Sequence, residues 1–179
     1  MRIASDLADL PRDCELGGGL VVPWRVTITA ANVGEQAYDV ELIVQAEVDR
    51  YVCVDLRAQR ADGGPSVTID GLCSIPVQSI IATALGPWIM GPDGPDAEPV
   101  GDFDPKLWRI ATLYRRAFAV GLPIGSSIGK MLGVSSSQAA NRVMRARRAG
   151  LLEPTVKGRP AAGFDPWALD DSDYEEGDI

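Results

Sequence analysis

Histidine is absent from this chain, which removes the commonest general base and the commonest zinc ligand. Three cysteines, Cys14, Cys53 and Cys73, are an odd number set far apart. They read as reduced thiols buried in strands, not as a disulfide framework. No apolar run approaches the ~20 residues needed to cross a bilayer. The opening MRIASDLADLPRD carries acids where a secretory signal has its apolar centre, so cytoplasmic residence is expected. Ser127-Ile128-Gly129-Lys130 has the S-x-x-K spacing of serine acyl enzymes without their partner motifs. Gly129-Lys130 also lacks the upstream glycine and following hydroxyl of a phosphate-binding loop. No pattern supports catalysis, and no metal or cofactor is expected.

What is present is charge of unlike sign in unlike places. The formal net charge is −8, but residues 1–104 carry six basic and 17 acidic groups, net −11. Residues 105–160 carry 11 basic groups and one acid, Glu153, net +10. Residues 161–179 carry seven acids and no base. A positive segment inside an acidic chain has the electrostatic footprint of a polyanion binder.

Residues 1–90 read as a small antiparallel sheet with a covering helix. WRVTITA puts Trp24, Val26, Ile28 and Ala30 on one face, and YDVELIVQAE puts Tyr38, Val40, Leu42, Val44 and Ala46 on one face. YVCVDLRAQ turns Val52, Val54, Leu56 and Ala58 inward. Period-two alternation marks half-buried strands, and NVGE and DGGP supply turn chemistry. PSVTIDGL adds a short fourth strand. SIPVQSIIATALG then changes to helical period, capped by Ser74 and ended by Gly86. So small a core makes a homodimer through this part plausible. Residues 91–104, rich in proline, glycine and acid, read as a linker.

Residues 105–160 read as helical. Asp104 caps a first helix with Pro105 in its first turn. Leu107, Ile110, Ala111, Tyr114, Ala117 and Phe118 form its apolar stripe, with Arg109, Arg115 and Arg116 outside it. Gly121 and Pro123 end it. A second helix runs from Ile124 to Leu132, and Gly133 turns the chain into a third that Ser135 caps. Gly129 lies where a side chain would obstruct close packing. Ile128, Leu132, Val134, Ala139, Val143 and Ala146 face inward. Ser136, Ser137, Gln138, Asn141, Arg142 and Arg145 are left on the outer face. Asn and Gln suit adenine edges and Arg suits guanine in a major groove. The arginines of RVMRARR have no acid at i±3 or i±4, so the helix repels itself unless something anionic meets it.

The run Leu107 to Leu152 resembles the helix-turn-helix domains of bacterial regulators, particularly the winged type, and looks like one widespread in actinobacterial and actinophage proteins. Gly133-Val134-Ser135 matches the "GVS" that opens the recognition helix, and Gly150-Leu151-Leu152 matches the "GLL" that closes it. Ala139 is smaller than the residue common there, and Gly129 replaces an alanine. Lys157-Gly158-Arg159-Pro160 resembles the centre of an AT-hook, which lies in a minor groove.

The expected class is therefore α+β: a small antiparallel sheet with a covering helix, then an all-α (winged) helix-turn-helix. The expected function is sequence-specific binding of double-stranded DNA in transcriptional regulation, with a repressor favoured. Ser137, Gln138, Asn141 and Arg142 would read bases. Lys130, Arg147, Arg148 and the amides of the third helix, opened by Ser135 and Ser136, would hold phosphates. Arg145 could take either duty, and Lys157 and Arg159 would touch the neighbouring groove. The alternative is a DNA-tethering adaptor that recruits a protein for recombination, partition or phage immunity. Residues 161–179 read as a disordered acidic tail that solubilises the chain, folds back on the basic segment, or engages a protein partner.

Overall fold

The structure, a computed structural model, describes residues 2–5, 10–17, 19–91, 94–95 and 104–153. Its architecture is α+β. Four strands, β1 (Arg2–Ser5), β4 (Arg25–Val33), β5 (Tyr38–Glu47) and β6 (Arg50–Gln59), form an antiparallel sheet in the order β1-β4-β5-β6. A separate hairpin pairs β2 (Cys14–Leu16) with β3 (Leu20–Val22) and packs on β5. Sequence alternation missed β1, β2 and β3, because runs this short show no more than two full periods.

Val26, Ile28 and Ala30 of β4 and Tyr38, Val40, Leu42, Val44 and Ala46 of β5 are buried, as their alternation requires. Two inward assignments are corrected. Trp24 is 48% exposed, because it lies in a bend before β4, held by its N–H to Asp13 and its carbonyl to the Ala46 N–H. In β6 the inward phase shifts at a bulge. Cys53 pairs with Val44 and Asp55 with Ile43, leaving Val54 extra and 44% exposed. An additional residue reverses which face each later side chain takes. Tyr51 and Cys53 therefore face the core before the bulge, and Leu56 and Ala58 after it, in place of Val52 and Val54. The buried Tyr51 hydroxyl donates to the Pro23 carbonyl at 2.8 Å, and burial pushes its phenol pKa upward.

PSVTIDGL is not a strand. Thr68 caps a short helix, α1 (Ile69–Cys73), accepting the Gly71 N–H at 3.1 Å. The Tyr38 ring lies so close to Gly71 that any Cβ there would collide with it. Ser74 closes the end of α1, its hydroxyl donating to the Gly71 carbonyl, and so does not cap the next helix. Cys73, expected to be buried, is exposed at the end of α1, while Cys14 and Cys53 are half-buried. Helix α2 (Val77–Ile89) continues past Gly86 and through Pro87, and Ile89 near its end is buried. By length and composition alone, residues Ile69–Ile89 together meet the minimum for a membrane span. The run is interrupted between α1 and α2, and Ile80, Ile81, Leu85 and Ile89 enter the protein core.

Three helices follow: α3 (Pro105–Ala119), α4 (Ile124–Leu132) and α5 (Ser136–Arg148). Asp104 caps α3, accepting the Lys106 N–H at 2.8 Å. Helix α3 is central: it touches α2, β3 and β6 on one side and α4 and α5 on the other. That position buries Thr112, Leu113 and Arg116 as well as the apolar stripe. One continuous set of buried side chains runs from the sheet through α2 and α3 into α5.

Candidate nucleic-acid interface

The turn between α4 and α5 sets the orientation of α5. Gly133 adopts φ +64°, and the Val134 N–H bonds back to the Gly129 carbonyl at 2.9 Å, the six-to-one bond of a Schellman motif. A Cβ on Gly129 would lie 2.8 Å from the Val134 carbonyl oxygen, so only glycine lets α4 approach this turn. Ser135 then opens α5 with a capping box. Its hydroxyl accepts the Gln138 N–H at 3.2 Å, and the Gln138 Oε1 accepts the Ser135 N–H at 3.1 Å.

Ala139, Val143 and Ala146 of α5 are buried against α3 and α4, with Ile128 fully buried beneath them. Small side chains on this face draw α5 close to its neighbours. The opposite face of α5 is exposed along its length at Ser137, Gln138, Asn141, Arg145 and Arg148, with Ser136 and Arg142 exposed on its two flanks and Ser135 at its cap. Lys130 is exposed on α4. Of the described residues expected to meet a duplex, each is exposed except Arg147. Gln138 has a second duty that the sequence did not reveal: its carbonyl oxygen belongs to the cap, leaving its amide donors for an outside partner.

Arg147 turns the other way. Its guanidinium lies 5.0 Å from the centroid of the Tyr114 ring, and Nε donates to the Glu153 carbonyl. Two further arginines expected outside α3 are also structural. Arg115 packs over Trp108 and donates from Nη2 to the Leu151 carbonyl at 2.8 Å, and burial lowers its pKa. Arg116, 6% exposed, donates to the carbonyls of Gly91, Gly94 and Pro95. Periodicity identified the stripe on α3 but not the sheet that covers its other side.

Lys130, Arg142, Arg145 and Arg148 are open. Three ion pairs join β5, β6 and the turn between them, Arg50–Asp49, Arg57–Glu41 and Arg57–Asp55. Arg142, Arg145, Arg148 and Lys130 have no carboxylate partner among the described residues. Between the start of α3 and the side of α5 lies a cleft of about 320 Å³, lined by Lys106 and Arg109 on one wall and Arg142 and Arg145 on the other. Lys106 and Arg109 were not among the residues assigned from sequence. Among the described residues no cluster of Cys, Asp and Glu has the arrangement of a metal site. Lys157, Arg159 and the acidic tail lie outside the described residues. A scan against protein-family models, a search of curated proteins and a search of solved structures each match nothing.

Proposed function

We propose that the chain is a sequence-specific double-stranded DNA-binding protein, a cytoplasmic transcriptional regulator of repressor type, in which α4 and α5 act as a helix-turn-helix. The observation that carries this reading is the exposed face of α5. It holds Ser137, Asn141, Arg142 and Arg145 on a helix whose other face is locked by Ala139, Val143 and Ala146. Medium-length polar side chains on a rigid helix reach base edges in a major groove. The cap takes the Gln138 N–H and leaves the Ser136 and Ser137 amides at the positive end of the helix dipole, where a phosphate is favoured. Arg148 and Lys130 supply sequence-independent attraction. Arg147, held against Tyr114, is removed from the contact set. The proposed assembly is a homodimer through the N-terminal sheet, binding half-sites about one helical turn apart.

Selection of bound fragments from random duplexes, followed by sequencing, tests this. A short enriched motif is expected, and its symmetry reports the dimer. Arg142→Ala and Asn141→Ala should each relax preference at one motif position by about 1–3 kcal/mol. Absence of any enriched sequence, with no duplex binding at low salt, would refute the reading.

A further inference from the structure

We propose that the cleft between α3 and α5 seats a backbone phosphate of the duplex, with Lys106 and Arg109 as its holders. This rests on the reading of α5 as the helix that enters the groove. Four cationic side chains converge on the cleft from two helices, and among the described residues Asp104 is the one carboxylate lining it. That carboxylate is already engaged, accepting the Lys106 N–H at the α3 cap. A surplus of positive charge therefore faces a wall that is partly apolar, including Leu132, where the field of each cation is less screened than in open water. Lys106 and Arg109 are exposed, so neither contributes to the packing that holds α3 in place.

Position identifies the ligand. A helix lying in a major groove about 12 Å wide has a row of phosphates along each flank. The cleft opens on one flank of α5, beside Arg142 and Arg145, one turn apart on that helix. Arg145 is thereby drawn to the phosphate, while Arg142, nearer the helix start, remains within reach of base edges. The helix that precedes the α4–α5 pair thus becomes part of the contact surface and fixes its register on the duplex, since phosphate contacts position and base contacts specify.

The test compares the full chain with the double variant Lys106→Ala/Arg109→Ala, folding being checked by circular dichroism. Binding to the selected duplex and to a scrambled one is measured across a salt series. The expected result is a loss of affinity by the same factor for both duplexes, and a slope of log K against log salt reduced by about 1. Lys106→Glu/Arg109→Glu should weaken both duplexes further. An unchanged slope and affinity in a chain that still reads its motif would overturn the seat while leaving α5 as the reader. A loss confined to the selected duplex would overturn it too, since that is the mark of a base contact. If the unaltered chain binds neither duplex, the reading of α5 fails and the seat fails with it.

Discussion

Arg116 on α3 donates from Nε to the carbonyl of Pro95 at 2.6 Å, and its Nη2 donates to the Gly94 carbonyl at 3.1 Å. A guanidinium buried in the central helix thus fastens the segment that leaves α2, supplying several carbonyls from one planar donor.

Arg116→Ala should therefore cost about 3 kcal/mol of stability by chemical denaturation, since charged hydrogen bonds are lost and carbonyls are left without a donor. Arg116→Lys should recover less than half, because an ammonium lacks the fork geometry. A change within about 0.5 kcal/mol, the value for a solvent-facing arginine, would contradict the assignment.

Two neighbouring arginines on α5 should separate stability from binding. Arg147→Ala removes the Tyr114 contact and the bond to the Glu153 carbonyl, and should lower stability by about 1.5 kcal/mol. Arg148→Ala should leave the unfolding midpoint in place while weakening every duplex alike and reducing the salt slope by about 1. Denaturation and duplex titration on the same samples check both.

Gly129→Ala places a Cβ against the Val134 carbonyl and should destabilise the protein by about 2 kcal/mol. Gly133→Ala meets no atom but must hold φ +64°, and should cost about 1 kcal/mol. Thermal unfolding should rank Gly129→Ala below Gly133→Ala.

A substitution of opposite sign lies in the β5–β6 turn. Val48 holds φ +52° while the Asp49 N–H bonds to the Glu47 carbonyl at 2.6 Å, and its side chain is 72% exposed. A β-branched residue is strained there and loses little contact if truncated. Val48→Gly should raise stability by about 1 kcal/mol after the entropy cost of glycine, read as a higher unfolding midpoint.

The acidic C-terminal segment bears on binding through charge. Deleting residues 165–179 removes all seven acids and should tighten non-specific duplex binding at low salt, with the difference fading as salt rises. Equal affinity of the two chains at low salt would exclude competition by the tail.

The limits of sequence reading follow from how far each residue's determinants lie from it. The α4 boundaries, the Ser135 cap and the inward set Ile128, Ala139, Val143 and Ala146 were legible, because they depend on neighbours within a turn or two. The inward face of β5 was legible for the same reason. Val52 and Val54 were misplaced because the bulge in β6 is defined by its pairing with β5, which alternation within β6 does not encode. Arg115, Arg116 and Arg147 carry charges that argue for solvent, yet each finds carbonyls or aromatic rings distant in the chain.

What the sequence alone determined was the local grammar: the phases of β4 and β5, the glycine at the turn before α5, the cap, and a positive segment within a negative chain. Tertiary structure decided which cations face outward. Helix α3 is enclosed by the sheet and α2 on one side and by α4 and α5 on the other, so its arginines divide between internal carbonyls and the open cleft. The physical reason is that helical periodicity records one buried stripe, whereas burial on a second side is set by contacts with residues far away in the chain.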